Sequence, residues 1–207
     1  SRISKSLNVD NNDEVIKKLV EIAKNPTNLS LVRIKVGNTG TNDDYKCLIW
    51  SDSKVKSLML TNLNSEKNID FSKIIGPQQY LSNCWFNTAL MCLFISDNGR
   101  KFTRAVREHM ITGNITPNIT NKDHQIKSKQ ILFMFNIIID NALRGILDVS
   151  INTNYIIQGL HKISPEYSKI FANVDKSWNP FSFFNNLLKV SNSSNLHIQK
   201  YPFYNIS

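Results

Sequence analysis

The 207-residue chain has few cysteines, fewer acidic than basic residues and no long apolar run. Its cysteines, Cys47, Cys84 and Cys92, form an odd set without C-x-x-C spacing, so neither a disulfide framework nor a zinc site is indicated. The longest apolar run, 131–139, is too short to span a bilayer and is interrupted by Asn136. We therefore expect no cofactor, no membrane partner and a reducing intracellular compartment.

Asparagine, isoleucine and lysine are the residues in excess, with 27, 25 and 19 copies against only 6 glutamines. All three have AT-rich codons, so the bias indicates an AT-rich genome, such as those of protists, intracellular bacteria or large DNA viruses. The chain begins Ser1-Arg2-Ile3, without a signal peptide or an initiator methionine. We expect it to be a processed or partial chain.

Positive charge exceeds negative charge, and the formal net charge of +9 favours acidic partners. The densest basic segment holds Arg100, Lys101, Arg104 and Arg107, and the three arginines share one helical face. One interpretation is a solvated helix surface. The other is a weak contact to an acidic partner or to nucleic acid through Arg100, Arg104 and Arg107.

The first third of the chain combines a predicted helix with strands. Apolar residues recur at helical spacing over 13–24, whereas residues 31–36 and 45–50 alternate and flank a turn at 37–40. These two segments predict a β-hairpin, to which residues 54–60 could add a third strand. We therefore expect an N-terminal helix and β-hairpin region over 1–75.

The remaining chain is predicted to be mostly helical. A break is expected at 97–99, and residues 191–207 read as a loop followed by the start of a β region. The expected helices cover 84–95, 100–111, 125–147, 154–162 and 181–190. The fold class is thus α+β in a single domain over 1–207, with its helical part at 76–190.

The apolar centre of the longest helix is expected to pack against the helix that begins at Cys84. Phe133, Ile137 and Ile138 would otherwise leave a large apolar patch exposed. We expect Cys92 to be buried in the same core, and Cys47 to be buried within its strand.

One segment has the residues of a possible catalytic site, because a glutamine-containing loop leads directly into a cysteine at the start of a predicted helix. The positive end of the helix macrodipole favours a thiolate there, and the cysteine N–H can point toward an oxyanion. Gln78 or Gln79 could supply the second oxyanion donor. The other interpretation is that Cys84 is a small buried residue near a helix start.

This segment resembles the papain-like superfamily of cysteine proteases over residues 76–93. Gln78 stands six residues before the Cys84-Trp85 pair, as in that superfamily. From the cysteine onward the chain is most similar to the ubiquitin-specific proteases, whose cysteine box is matched at Cys84, Trp85, Asn87, Thr88, Ala89, Leu90, Cys92 and Leu93. Upstream, residues 79–82 replace the Asn-x-Gly-Asn approach of that family.

The resemblance implies a papain-like fold, mainly its helical half, and a thiol peptidase that hydrolyses a peptide or isopeptide bond, as a deubiquitinase does. Cys84 would be the nucleophile, and His197 is the preferred base because it lies in a strand-like segment. Its distance from Cys84 is shorter than the 130–150 residues typical of papain-type enzymes. We therefore expect no histidine of this chain to reach Cys84, and residues 191–207 to extend outward as an edge or to pair with another chain.

Three functions remain open from the sequence. The first is the thiol hydrolase, with a protein substrate and with its base in this chain or in a partner segment. The second is a non-catalytic structural or interaction protein on a degenerate protease fold, such as a large-DNA-virus core protein located in the virion. Poxvirus major core proteins are similar in one helix that lacks the cysteine. The third is a basic nucleic-acid-associated protein.

Overall fold

A computed structural model of the chain describes residues 33–38, 45–65, 69–77, 79, 83–146, 153–162, 179–196 and 198, with the backbone alone for 33–38 and 45–47. Helices dominate this described part. In chain order its elements are β1 (Arg33–Asn38), β2 (Tyr45–Ile49), α1 (Ser53–Asn64), α2 (Cys84–Leu90), α3 (Asp97–Thr112), α4 (Lys122–Arg144), α5 (Thr153–Lys162) and α6 (Pro180–Val190).

The predicted hairpin is confirmed. β1 and β2 pair antiparallel, with Arg33 opposite Ile49 and with one irregularity between Val36 and Asn38 near the turn. Cys47 lies in β2, but its side chain lies outside the described residues, as does the whole predicted helix at 13–24. The burial of Cys47 therefore stays a prediction.

The predicted third strand over 54–60 is wrong, because this segment is the helix α1. The Asp52 carboxylate accepts the Lys54 N–H at 2.8 Å and caps the helix start. Val55, Met59 and Leu63 recur every four residues and are buried along one face. The described residues of the N-terminal third are therefore not rich in strands beyond the hairpin.

The helix that begins at Cys84 continues past Leu90 as a π-helical turn, Met91–Ile95. The turn closes where the Ser96 N–H donates to the Met91 carbonyl at 2.9 Å. The break predicted at 97–99 lies instead at Ser96, whose hydroxyl accepts the Gly99 N–H and caps α3. A Cβ at Gly99 would collide with the carbonyl oxygens of Cys92 and Leu93, so this corner requires glycine.

The core surrounds α4, in which every residue from 131 to 140 is buried. The predicted burial of Phe133, Ile137 and Ile138 is thereby confirmed. The helices predicted at 100–111, 125–147, 154–162 and 181–190 correspond to α3, α4, α5 and α6, with shifted ends. None of the described helices combines the length and the apolar character that a bilayer crossing needs.

The basic face predicted on α3 is not a solvated surface. Arg107 is fully buried, and its Nε donates to the Asn136 Oδ1 at 2.9 Å. Burial lowers the pKa of Arg107 to about 10, although the nearby Asp140 carboxylate opposes this shift. The prediction of an acidic or nucleic-acid contact through Arg107 is wrong, because its guanidinium does not reach the surface.

The other two arginines also have structural partners. Arg100 is buried and pairs with Asp97 at 2.8 Å, three residues earlier in α3. Arg104 is exposed, yet its Nη1 donates to the Leu63 carbonyl at the end of α1 at 3.0 Å. Arg104 and Arg107 therefore join α3 to α1 and α4, and of the three arginines only Arg104 retains an exposed side chain.

Candidate active site

Cys84 is the first residue of α2, as the sequence predicted, and its side chain is exposed. Its N–H has no intrahelical acceptor, because the residue four positions earlier lies outside the helix. The prediction of a helix from Cys84 to about residue 95 is confirmed by α2 and its π-helical turn. The interpretation of Cys84 as a buried core residue is wrong.

Aromatic residues fix α2 against the core. The Phe86 ring centroid lies 5.1 to 5.6 Å from those of Phe135, Phe183 and Phe184. Trp85 packs edge-on against Phe183 at 5.1 Å. Cys84 therefore begins a helix whose position is held by the centre of the core.

The opposite face of α2 and its π-helical turn is exposed at Cys84, Thr88 and Cys92, which follow one another at four-residue spacing. This face borders an open groove of about 390 Å³. The groove is lined by Cys84, Trp85, Thr88, Ala89, Cys92 and Leu93 on one side and by Pro180, Phe181 and Ile198 on the other. We refer to it as the thiol groove.

Cys92 is exposed in the thiol groove, so its predicted burial is wrong. The physical reason is its spacing from Cys84, since a separation of eight residues places both side chains on one face of the helix. A rise of 1.5 Å per residue separates them by about 12 Å along the axis. That separation is too large for a disulfide.

The chain after α6 folds back onto the thiol groove. The Asn185 side chain accepts the Ile198 N–H at 2.8 Å and donates to the Ile198 carbonyl at 2.9 Å. Leu196 and Ile198 both pack against the core. The outward extension predicted for 191–207 is therefore wrong for these residues, because apolar burial and the Asn185 amide hold them inward.

None of the three described histidines lines the thiol groove. His109, at the end of α3, has its Nδ1 2.9 Å from both the Ser191 carbonyl and the Ser193 hydroxyl. His124 lies in the first turn of α4, and His161 lies at the end of α5. His197 lies outside the described residues, although the next residue, Ile198, lines the groove.

The predicted oxyanion donors have different outcomes. Gln78 lies outside the described residues. Gln79 is exposed and is not among the residues that line the thiol groove. The described residues include no cluster of His, Cys, Asp and Glu that could hold a metal ion.

A buried polar network lies directly behind Cys84. The Thr153 hydroxyl, at the start of α5, accepts from the Asn83 Nδ2 at 2.8 Å and donates to the Asn87 Oδ1 at 2.6 Å. All three residues are buried. Sequence reasoning used Asn87 only as part of a motif and missed Thr153, because no local pattern links positions so far apart along the chain.

Comparison of the chain with family models, with curated proteins and with solved structures finds no match.

Proposed function

We propose that the chain is a thiol hydrolase with a papain-like arrangement, in which Cys84 attacks the carbonyl carbon of a peptide or isopeptide bond. The observation that carries the proposal is the exposed Cys84 thiol at the start of a core-anchored helix, in the wall of a groove. A structural cysteine of the core would be buried. A catalytic nucleophile must instead be accessible to its substrate.

The backbone of Cys84 provides part of the chemistry. Its N–H lacks an intrahelical acceptor and can donate to the oxyanion that forms when the thiolate adds to the carbonyl. Collapse of this intermediate breaks the C–N bond, and the amine leaves after it receives a proton from the base. Water then hydrolyses the thioester, which releases the acid and regenerates Cys84.

His197 is the proposed base, since its chain neighbour Ile198 lines the thiol groove and is held there by Asn185. A base near this point could take the thiol proton and later transfer it to the leaving amine. Gln78 and Gln79 remain candidates for the second oxyanion donor. A ubiquitin-like modifier joined through an isopeptide bond is one substrate of the proposed class.

Hydrolysis of a fluorogenic peptide amide and of a ubiquitin C-terminal fluorogenic amide by the whole chain tests the proposal. We expect Cys84→Ala to abolish turnover, and Cys92→Ala, which changes the neighbouring thiol in the same groove, to retain it. His197→Ala should lower kcat while leaving the fold intact by circular dichroism. Turnover that persists in Cys84→Ala would rule out Cys84 as the nucleophile.

A second candidate function is a non-catalytic interaction protein that uses the thiol groove to dock a partner. The observation in its favour is that the groove is mostly apolar and that no described histidine lines it. Limiting iodoacetamide at neutral pH separates the two functions. The hydrolase predicts faster alkylation of Cys84 than of Cys92, whereas a docking groove predicts similar rates for these two exposed thiols.

A further inference from the structure

The network formed by Asn83, Asn87 and Thr153 touches the chain on both sides of Cys84. Asn83 immediately precedes the cysteine, and Asn87 lies one helical turn after it. The Asn83 carbonyl also accepts the N–H groups of Phe86 and Asn87, each at 3.0 Å. The first turn of α2 is therefore tied by its backbone to Asn83 and by two amide side chains to α5.

Thr153 is the centre of this network because its single hydroxyl acts as donor and acceptor at once. A valine would fill the same volume but could make neither hydrogen bond. A serine could make both. The site therefore offers two substitutions that separate hydrogen bonding from packing.

The network is poorly arranged for stability alone. The Asn83 Oδ1 is buried without a hydrogen-bond partner among the described residues. Such groups lower the free energy of unfolding, and apolar residues of similar size would avoid that cost. A role in stability alone gives no reason to keep the Asn83 amide beside Cys84.

We infer that Thr153 is a positioning residue, which sets the geometry and reactivity of Cys84 through Asn83 and Asn87; the inference rests on the proposed function of Cys84 as a nucleophile. Thr153 does not line the thiol groove and acts through the two asparagines. Its hydrogen bonds fix where the thiol and the Cys84 N–H lie relative to a substrate carbonyl.

The test measures alkylation of Cys84 and Cys92 in the same molecule by mass spectrometry, with iodoacetamide and across pH. Cys92 is the internal control, since it is exposed in the same groove but lies eight residues beyond Cys84 and takes no part in the network. We expect Thr153→Val to lower the rate at Cys84 relative to Cys92 by about tenfold and to shift the pH profile of Cys84 alone. Thr153→Ser should restore the wild-type ratio to within about twofold.

Asn154→Leu is the matched control, because it changes a buried neighbour outside the hydrogen-bonded trio. It should leave the ratio unchanged, and an equal loss in this variant would overturn the inference. If Thr153→Val does not fold by circular dichroism, Asn83→Ala, which deletes the amide donor beside Cys84, takes its place with the same expected loss.

The two proposals fail separately. Equal rates at Cys84 and Cys92 in the wild-type chain would refute the proposed function. A Cys84 rate and pH profile that do not respond to Thr153→Val would refute the positioning role, whatever the wild-type ratio.

Discussion

Cys84 and Cys92 lie eight residues apart on one exposed face of a helical stretch, and both thiols border the same groove. They share solvent, neighbouring helix and groove wall, but only Cys84 has an N–H without an intrahelical acceptor and a buried polar network behind it. Any difference in their chemistry therefore reports on the start of the helix. This pairing makes Cys92 both a control and a means to alter the groove.

The first prediction concerns the shape of the thiol groove. Cys92→Phe should fill part of it and slow the reaction of Cys84 with N-phenylmaleimide about tenfold, equivalent to about 1.4 kcal/mol. The small reagent iodoacetamide should react with Cys84 at nearly the wild-type rate. Cys92→Ser, which adds no bulk, is the control, and equal slowing of both reagents would show that the helix itself had moved.

The second prediction concerns the corner between the π-helical turn and α3. Gly99→Ala should lower the free energy of unfolding by about 1–3 kcal/mol, because the new Cβ collides with the backbone at Cys92 and Leu93. Gly76→Ala is the matched control, since a Cβ there meets no atom within 4 Å. Urea denaturation measures both, and similar stabilities of the two variants would contradict the packing described for this corner.

Local periodicity predicted most of the helical part. The apolar spacing over 125–147 located α4 because a fully buried helix is apolar on nearly all sides. Residues 54–60 were assigned wrongly, since a short apolar run fits either a strand or a helix. Asp52, directly before this run, is the local signal that favours the helix, because its carboxylate caps the helix start.

The candidate site was only partly predictable, for a different physical reason. Cys84 could be placed because a loop followed by helical spacing is a local signal. The exposure of Cys92 is also encoded locally, in its spacing from Cys84, but the general preference of free cysteine for burial predicts the opposite. Thr153 and Ile198 reach the site through tertiary packing, which one sequence does not reveal.

The third prediction concerns the buried amide of Asn154. Replacing this buried residue with leucine removes two polar atoms that lack partners among the described residues. We expect Asn154→Leu to raise the free energy of unfolding by about 1–3 kcal/mol. Asn195→Leu, at an exposed position, should change it by less than about 0.5 kcal/mol. A loss of stability in Asn154→Leu would indicate that the amide has an additional partner.

The fourth prediction concerns the buried Arg107. Arg107→Met should lower the free energy of unfolding by about 1–3 kcal/mol, because the Asn136 Oδ1 loses its donor while remaining buried. Adding Asn136→Leu should recover part of this loss, which gives a favourable coupling in a double-mutant cycle. Arg104→Met, which makes the same change at an exposed arginine of α3, is the control for the loss of a charged side chain. Additive effects of the two buried substitutions would show that their hydrogen bond contributes no coupling.

The last prediction concerns Asn185, which holds Ile198 beside the thiol groove through two hydrogen bonds. Asn185→Leu removes both, so the Ile198 amide should exchange its hydrogen faster than in the wild-type chain. If the proposed base His197 depends on this anchor, peptide-amide hydrolysis should fall by about tenfold or more. Alkylation of Cys84 by iodoacetamide should change by less than about twofold, because the nucleophile stays in place.

Ser182→Ala, on the exposed side of the same helix, should leave exchange, hydrolysis and alkylation unchanged. Faster exchange at Ile198 with normal hydrolysis in Asn185→Leu would separate this segment from the chemistry, and the base would then have to come from elsewhere. Loss of hydrolysis together with slower alkylation of Cys84 in Asn185→Leu would instead show that the substitution disturbs Cys84 itself. Only the combination of faster exchange, reduced hydrolysis and normal alkylation fits a segment that carries the base to a preformed nucleophile.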